Sequence, residues 1–125
     1  MNTSQALHKK LLGNTGESIA SAYLTRQGYH IIHRNFRARY GEIDIICVHA
    51  DTLVFIEVKT RQGREFGLPE EAITPKKLRE ILQTADFFVS THQNLPDAQR
   101  IDVIGIELDE EEKVVYFNHI ENVTG

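Results

Sequence analysis

Three charged residues interrupt two very apolar segments of the chain. Asp44 lies in the isoleucine-rich segment 43–46, and Glu57 and Lys59 alternate with apolar residues in the segment 54–59. Burying a carboxylate costs free energy unless a partner compensates it. Carboxylate oxygens are the preferred ligands of hard divalent cations, and a lysine beside such an ion can orient a water molecule or stabilise an anionic oxygen. The set therefore predicts a Mg²⁺ or Mn²⁺ site with the chemistry of phosphodiester hydrolysis.

The turn between the two segments decides whether these residues meet. A two-residue loop at Ala50–Asp51 would place Asp44 directly across from Glu57, with Cβ atoms about 5 Å apart. A two-residue loop one position later would set Asp44 opposite Lys59 on the same face, and a three-residue loop would pair it with Val58. The sequence leaves these three registers open.

Strand alternation orients the charged side chains together. Glu57 and Lys59 are two residues apart and share a face, as Asp44 does with Glu42. The opposite face of the first strand would take three apolar residues, Ile43, Ile45 and Cys47. Because facing carboxylates repel each other, either Lys59 or a metal ion must lie between them. The other interpretation is an exposed edge strand with a cross-strand ion pair.

Glu17 is a third candidate acid. It lies on the same helical stripe as Ala20 and Leu24 rather than on a polar face, so that its carboxylate could reach the same hollow and complete the set of metal ligands. The other interpretation is a Glu in a first helical turn, where the helix dipole favours a negative charge.

The elements that must carry these residues follow the order α-β-β-β-α-β-β. Residues 4–27 predict a helix, residues 29–35, 42–49 and 53–60 three strands, and residues 37–41 a basic connection. Thr74–Pro75 suits a helix start, and apolar residues at helical spacing continue to about His92. Residues 100–108 and 114–120 predict two more strands, and Arg100 and Asp102 could form an ion pair on the first. This order implies a single α/β or α+β domain, 1–125, with a mixed sheet flanked by helices.

Composition restricts the class of protein. The 125 residues are 41% hydrophobic and 26% charged, which excludes wholesale disorder. A single cysteine, Cys47, excludes a disulfide framework and a multi-thiolate zinc site. No apolar run approaches the ~20 residues of a membrane span, and residues 1–10 lack a signal-peptide core, so we expect no membrane association and a cytoplasmic location.

Basic residues concentrate around the candidate site although the net charge is −4. Three arginines are interleaved with two aromatic residues just before the Asp44 strand, and two more arginines and a lysine follow Lys59. They could contact DNA phosphates, with Phe36 or Tyr40 stacking on an unpaired base; a solvated loop with Phe36 in the core is the other interpretation. The candidate phosphate-binding residues are Arg34, Arg37, Arg39, Arg61, Arg64 and Lys77.

An ordered set of motifs resembles the YraN-like family of small bacterial proteins. These motifs are Gly16-Glu17-x-x-Ala20-x-x-Tyr23-Leu24, Gly28-Tyr29, Arg34-Asn35-Phe36-Arg37, Gly41-Glu42-Ile43-Asp44-Ile45-Ile46, Phe55-Ile56-Glu57-Val58-Lys59-Thr60-Arg61, Lys77 and Arg100-Ile101-Asp102-Val103. The family is similar to the PD-(D/E)XK nuclease superfamily, nearest to archaeal Holliday-junction resolvases. Ile43 replaces the Pro expected before the Asp of the superfamily motif.

The resemblance implies a restriction-endonuclease-like core and a metal-dependent DNA endonuclease acting on substrates that include branched DNA. Glu17, Asp44 and Glu57 would bind Mg²⁺ or Mn²⁺, and Lys59 would assist the attacking water. A junction-cutting enzyme would suit a homodimer with two-fold symmetry. The alternative functions are a non-catalytic nucleic-acid-binding or adaptor module that keeps the nuclease fold, and a purely structural protein with an ion-paired hairpin.

Overall fold

The computed structural model describes all 125 residues. In chain order the protein contains α1 (Thr3–Arg26), β1 (His30–Ala38), β2 (Gly41–His49), β3 (Thr52–Gln62), α2 (Pro75–Thr91), β4 (Ala98–Leu108) and β5 (Val114–Ile120). A short 3₁₀ turn, Pro69–Ala72, precedes α2. The predicted order of helices and strands is confirmed.

The five strands form one mixed sheet in the order β1-β2-β3-β4-β5. Only β3 and β4 pair in parallel, and the other neighbours are antiparallel. A parallel pair needs a crossover rather than a hairpin, and α2 lies in that crossover. The helix-flanked mixed sheet matches the predicted fold class and is compatible with a restriction-endonuclease-like core.

Each helix covers one face of the sheet with its own apolar cluster. On one face, the buried α1 residues pack against alternate strand residues, including Leu12, Ala20, Leu24, Ile45, Ile56 and Ile104. On the other face, α2 packs against the intervening strand residues, including Ile46, Phe55, Ile81, Ala85 and Phe88. Because side chains of a strand alternate between faces, two helices suffice to bury both sides of the central strands.

Capping residues fix where the two helices begin. Asn2 and Gln5 bond reciprocally to each other's backbone N–H groups, each at 2.8 Å, and so satisfy two donors at the start of α1. The Thr74 hydroxyl accepts from the N–H of Lys77 at 3.1 Å, as predicted for the start of α2. α1 continues unbroken through Gly13 and Gly16. No helix combines the length and apolarity needed to cross a membrane.

The β2–β3 hairpin adopts the first of the three predicted registers. Its loop is Ala50–Asp51, and its ladder ends at the pair Ile45–Ile56 although both strands continue. Asp44 and Glu57 are therefore the first residues beyond the ladder, where the two strands stop exchanging backbone hydrogen bonds.

The regular alternation of β2 breaks at Asp44. Ile45 packs in the α1-side cluster, whereas Ile43 packs in the α2-side cluster together with its β1 partner Phe36. The prediction that Ile43 shares a face with Ile45 is therefore wrong. On β1 the corresponding residue is Asn35, whose φ of 54° lies in the left-handed region. Asp44, between Ile43 and Ile45, accepts a hydrogen bond from the β3 backbone at Val58.

Four of the five strands are longer than predicted, and β1 and β3 continue past their predicted C-terminal ends. β1 continues to Ala38, so that Arg37 is a strand residue paired with Glu42 rather than part of a connection. β3 continues to Gln62, because its whole length pairs in parallel with β4. β3 and β4 are far apart in sequence, so their pairing leaves no local signal, and the predicted end of β3 fell short.

Candidate metal centre and its surroundings

Asp44 and Glu57 form a buried pair of carboxyl groups at the point where β2 and β3 separate. Their relative exposures are 7% and 8%. Asp44 Oδ2 accepts a hydrogen bond from the backbone N–H of Val58 at 2.8 Å. This bond takes the place of a ladder bond, and it fixes the Asp44 carboxylate on the β3 backbone beside Glu57. The hairpin thus holds the two acids together, as the sequence predicted.

Burial and mutual repulsion make this pair hard to ionise fully. Burial, then the charge of Asp44 and the hydrogen bond with it, raise the pKa of Glu57 to about 9. The pKa of Asp44 is also raised by burial, while its hydrogen bonds from Glu57 and from Val58 act in the opposite direction. Both shifts favour a proton held by the pair near neutral pH, because two facing buried carboxylates repel each other.

Glu17 approaches the pair from α1. Its helix can lie close to β3 because Gly16 has no side chain: a Cβ at that position would lie 1.7 Å from Thr60 Oγ1. Glu17 Oε1 is buried and has no hydrogen-bond partner. Burial first, then the charge of Asp44, raise the pKa of Glu17 to about 7, and Arg34 opposes that shift. Glu17 is therefore close enough to the pair for the charge of Asp44 to affect its ionisation.

The three carboxyl groups do not meet as tightly as ligands around an ion. Their oxygen atoms do not all lie within 4.8 Å of one another. Glu57 Oε2 is nevertheless buried without a hydrogen-bond partner, as is Glu17 Oε1. Two buried, unsatisfied carboxylate oxygens near Asp44 form an all-oxygen donor set, which suits a hard divalent cation. The chemistry of these donors therefore suits Mg²⁺ or Mn²⁺, although Glu17, Asp44 and Glu57, the groups that would hold the ion, would have to move closer together to bind it.

Two lysines provide positive charge beside the acids. Lys77 Nζ lies 3.9 Å from Glu57 Oε2, which places this predicted phosphate ligand at the candidate site itself. Lys59 follows Glu57 by two residues on β3. Burial first, then the nearby charges of Lys9 and Arg61, lower the pKa of Lys59. A lysine ammonium in such surroundings gives up its proton more readily than one in water.

The remaining predicted basic residues are distributed more widely. Arg37 forms an ion pair with Glu42 at 3.0 Å, and Arg64 forms one with Glu107 at 2.9 Å. The Arg39 guanidinium lies over the exposed ring of Tyr40, 5.9 Å from its centroid. These three arginines lie at the surface, and the carboxylates opposite Arg37 and Arg64 reduce the positive charge available to a phosphate. Their role in nucleic-acid binding stays a prediction.

The aromatic residues near the site have separate roles in the structure. Phe36 packs against the α2-side core, with its ring 5.0 Å from that of Phe88. The proposal that it stacks on a base is therefore wrong, and the core interpretation is correct. Tyr40 remains 45% exposed. Phe66, which the sequence did not single out, is 78% exposed beside Arg61, whose Nη1 donates to the Phe66 carbonyl oxygen at 3.0 Å.

A second cluster of charged and polar groups surrounds the fully buried Asp102. Its carboxylate accepts from Arg100 Nε at 3.0 Å, as predicted, and from the N–H of Asn122 at 3.0 Å; it also lies 2.8 Å from His119 Nε2. Burial opposes ionisation, but these hydrogen bonds together hold the pKa of Asp102 below its ordinary value. Ligand-type atoms of Asp102, His119 and Glu121 lie within 4.8 Å of one another.

Arg100 bridges both carboxylates of this second cluster. Its Nη2 lies 3.0 Å from Glu121 Oε1, and the same guanidinium bonds Asp102. The cluster is thus an internal ion-pair network that joins β4 to the end of β5. Sequence reasoning assigned His119 no role, because nothing in the spacing of the histidines shows which of them a distant strand brings to Asp102.

The fold and the site together define a small α+β protein whose helix-flanked mixed sheet is compatible with a restriction-endonuclease-like core, with a cluster of acids and lysines where two central strands separate. The model of the uncharacterised protein family UPF0102 matches residues 16–106. The chain belongs to this family, also called the YraN family. The match includes Glu17, Asp44, Glu57 and Lys59.

Three curated relatives match between 77% and 93% of the chain. A UPF0102 protein of Caldicellulosiruptor saccharolyticus is 41% identical over 116 residues, which are 93% of this chain and 98% of the relative. One from Syntrophomonas wolfei is 42% identical over 112 residues, 89% of this chain and 95% of the relative. A third, from Chlorobium phaeobacteroides, is 50% identical over 96 residues, or 77% and 76% of the two chains. The resemblance to the YraN-like family is confirmed.

Proposed function

We propose that the protein is a metal-dependent endonuclease that hydrolyses phosphodiester bonds in DNA, including branched DNA. The observation that carries the proposal is the buried Asp44–Glu57 pair with an unsatisfied Glu57 oxygen and two lysines beside it. A protein that only needed a stable hairpin would gain from apolar residues at these positions, since burying ionisable groups costs free energy.

The acids would hold the ion, and the chain would position the rest of the reaction. Glu17, Asp44 and Glu57 are the groups that would bind Mg²⁺ or Mn²⁺, which when bound would lower the pKa of a water molecule and neutralise charge on a phosphate. Asp44 is kept in position by the Val58 N–H. Occupation by a dication would displace the proton that the acid pair shares, because the ion needs ionised carboxylates.

The lysines and arginines would act on the phosphate and its neighbours. Lys59, on the strand that carries Glu57, would orient the attacking water or stabilise the charge that develops on the phosphate oxygens. Lys77 faces Glu57 and would contact the same phosphate or its neighbour. Exposed Arg34 lies near Glu17 and would hold the DNA backbone. A cytoplasmic location and a homodimer on two-fold-symmetric junctions remain part of this proposal.

Cleavage of a DNA panel tests the proposal. Purified protein is incubated with linear duplex, flapped and four-way-junction DNA in Mn²⁺, with Lys59→Ala in parallel. We expect wild-type protein to nick or cut at least one branched substrate and Lys59→Ala to lose at least a hundredfold in rate, roughly 3 kcal/mol of transition-state stabilisation. Equal low activity in both proteins would point to a contaminant and would contradict the proposal.

One observation favours a second candidate, a DNA-binding or adaptor module without cleavage. The oxygen atoms of Glu17, Asp44 and Glu57 do not all lie within 4.8 Å of one another, so that the ion site is not fully assembled. Such a module would bind the same DNA panel with an affinity that falls steeply with salt. It would show no cleavage in Mg²⁺ or Mn²⁺, and Asp44→Asn would bind DNA as well as the wild type.

A further inference from the structure

A groove adjoins the candidate metal centre at the side of Lys59. It has a volume of about 390 Å³ and lies between the first half of α1 and the loop that follows β3. Three cations, Lys9, Lys59 and Arg61, line it against a single carboxylate, Glu65. Lys59, two residues from Glu57 on β3, is the residue that the groove shares with the candidate site.

The wall of this groove carries an exposed aromatic ring on an anchored backbone. Phe66 is 78% exposed, more than any other large apolar residue except Met1. Its backbone is nevertheless fixed, because Arg61 Nη1 donates to the Phe66 carbonyl oxygen and the N–H of Gly67 bonds the Arg64 carbonyl, both at 3.0 Å. His8 Nε2, 3.1 Å from Gln62 Oε1, ties the opposite wall to the end of β3.

Basic side chains along a groove, together with an exposed aromatic ring, are suited to binding a single nucleic-acid strand. Basic side chains contact successive phosphates, and aromatic rings stack on bases of any sequence. A base inside a continuous duplex is already stacked on both sides and cannot present its face to Phe66. An unpaired base can stack on Phe66, and this stacking would bury the ring that is exposed to water in the free protein.

We propose that this groove binds an unpaired DNA strand next to the scissile phosphate, with the Phe66 ring stacked on a base and Lys9 and Arg61 on phosphates. This inference rests on the proposed function, and it names the substrate class. The preferred DNA would carry unpaired nucleotides directly beside the duplex, as at a flap or an overhang, rather than a continuous duplex.

Binding without divalent metal tests the groove separately from catalysis. A duplex with a single-stranded overhang carrying 2-aminopurine, and a blunt duplex of the same length, are titrated with protein in EDTA. We expect tighter binding to the overhang and quenching of the 2-aminopurine by stacking. Phe66→Ala should weaken overhang binding about fivefold to a hundredfold and leave blunt-duplex binding unchanged. Phe66→Trp should keep the preference.

Matched variants complete the test. Phe87→Ala removes another exposed phenylalanine, on α2 (43% exposed), and should not change the preference for the overhang. Lys9→Ala should reduce the slope of log affinity against log salt by about 0.7 on the overhang. Equal wild-type affinity for overhang and blunt duplex, or unchanged overhang binding by Phe66→Ala, would overturn the groove proposal.

The two proposals fail in different ways. Overhang binding that depends on Phe66, in a protein that cuts no DNA in Mn²⁺, would overturn the nuclease proposal and support the groove as a binding site. DNA cleavage by the wild type with no effect of Phe66→Ala on overhang binding would overturn the groove and support the nuclease.

Discussion

Asp44 Oδ2 accepts a hydrogen bond from the Val58 N–H at 2.8 Å, at the point where β2 and β3 stop pairing. One carboxylate thus satisfies a buried backbone donor and also faces Glu57. The structural role needs an oxygen acceptor, whereas metal binding needs a negative charge. Substitutions at Asp44 can therefore separate the two roles.

Asp44→Asn should keep the bond to Val58, and Asp44→Ala should lose it. An unsatisfied buried N–H costs roughly 1–3 kcal/mol, so we expect Asp44→Asn to be more stable than Asp44→Ala by that amount. The measurement is urea unfolding in EDTA at pH 7. Equal stability of the two variants would show that the hydrogen bond contributes nothing.

The pKa of Glu57 should move in opposite directions when its two charged neighbours are replaced. The charge of Asp44 raises this pKa, and the charge of Lys77 lowers it. We therefore expect a value below about 9 in Asp44→Asn and above the wild-type value in Lys77→Met, measured by ¹³C NMR titration of the carboxyl carbon. Lys76→Met removes the same charge from the adjacent residue and should have a smaller effect. A Glu57 pKa that shifts in the same direction in Asp44→Asn and in Lys77→Met would contradict the observed arrangement of these charges around Glu57.

Stability without metal should fall as pH rises from 5 to 8. The pKa values of Glu57 (about 9) and Glu17 (about 7) exceed the ordinary 4.5. Between these pKa values the native state holds protons that the unfolded chain has released. The stabilisation is therefore complete below pH 4.5 and is lost as the pH rises toward the raised pKa values of Glu17 and Glu57. The Glu57 contribution is at most roughly 1.4 kcal/mol per pH unit.

Glu57→Gln should flatten this dependence, as followed by urea unfolding in EDTA at several pH values. Glu110→Gln makes the same charge change in the exposed turn between β4 and β5 and should leave the slope as it is. A wild-type stability that rises between pH 5 and 8 would mean that the carboxyl groups are ionised in the native protein.

Gly16 should not tolerate a methyl group, whereas Gly13 should. A Cβ on Gly16 would lie 1.7 Å from Thr60 Oγ1 and 2.8 Å from Thr60 Cβ, and a Cβ on Gly13 would meet nothing within 4 Å. Both glycines lie inside α1, where alanine is favoured by about 0.5–1 kcal/mol. Urea unfolding should show Gly13→Ala stabilised by that amount and Gly16→Ala destabilised by roughly 1–3 kcal/mol. A stabilised Gly16→Ala would contradict the close packing of α1 on β3.

The local parts of this architecture could be predicted from the sequence. The apolar runs around Asp44 and Glu57 define two strands, and a two-residue loop between them gives the register that brings these acids together. Thr74–Pro75 likewise determines the start of α2. In each case the interacting residues are close in sequence, so that strand periodicity, turn length and capping chemistry suffice.

Features that depend on distant contacts could not be predicted. Ile43 changes face because its β1 partner Phe36 packs against α2, and the sequence of β2 alone contains no sign of this. His119 reaches Asp102 only through the β4–β5 register. Whether Glu17 completes an ion site depends on the close approach of α1 to β3. Gly16 permits this approach, but a glycine in the sequence does not reveal which strand its helix will contact.

The central claim is that Asp44 and Glu57 hold a divalent cation. Isothermal titration of Mn²⁺ at pH 7, in two buffers of different ionisation enthalpy, tests it most directly. We predict saturable binding by the wild type with release of the shared proton, loss of both in Asp44→Asn, and retention of both in His119→Gln. Binding that survives in Asp44→Asn, or that is lost in His119→Gln instead, would contradict it.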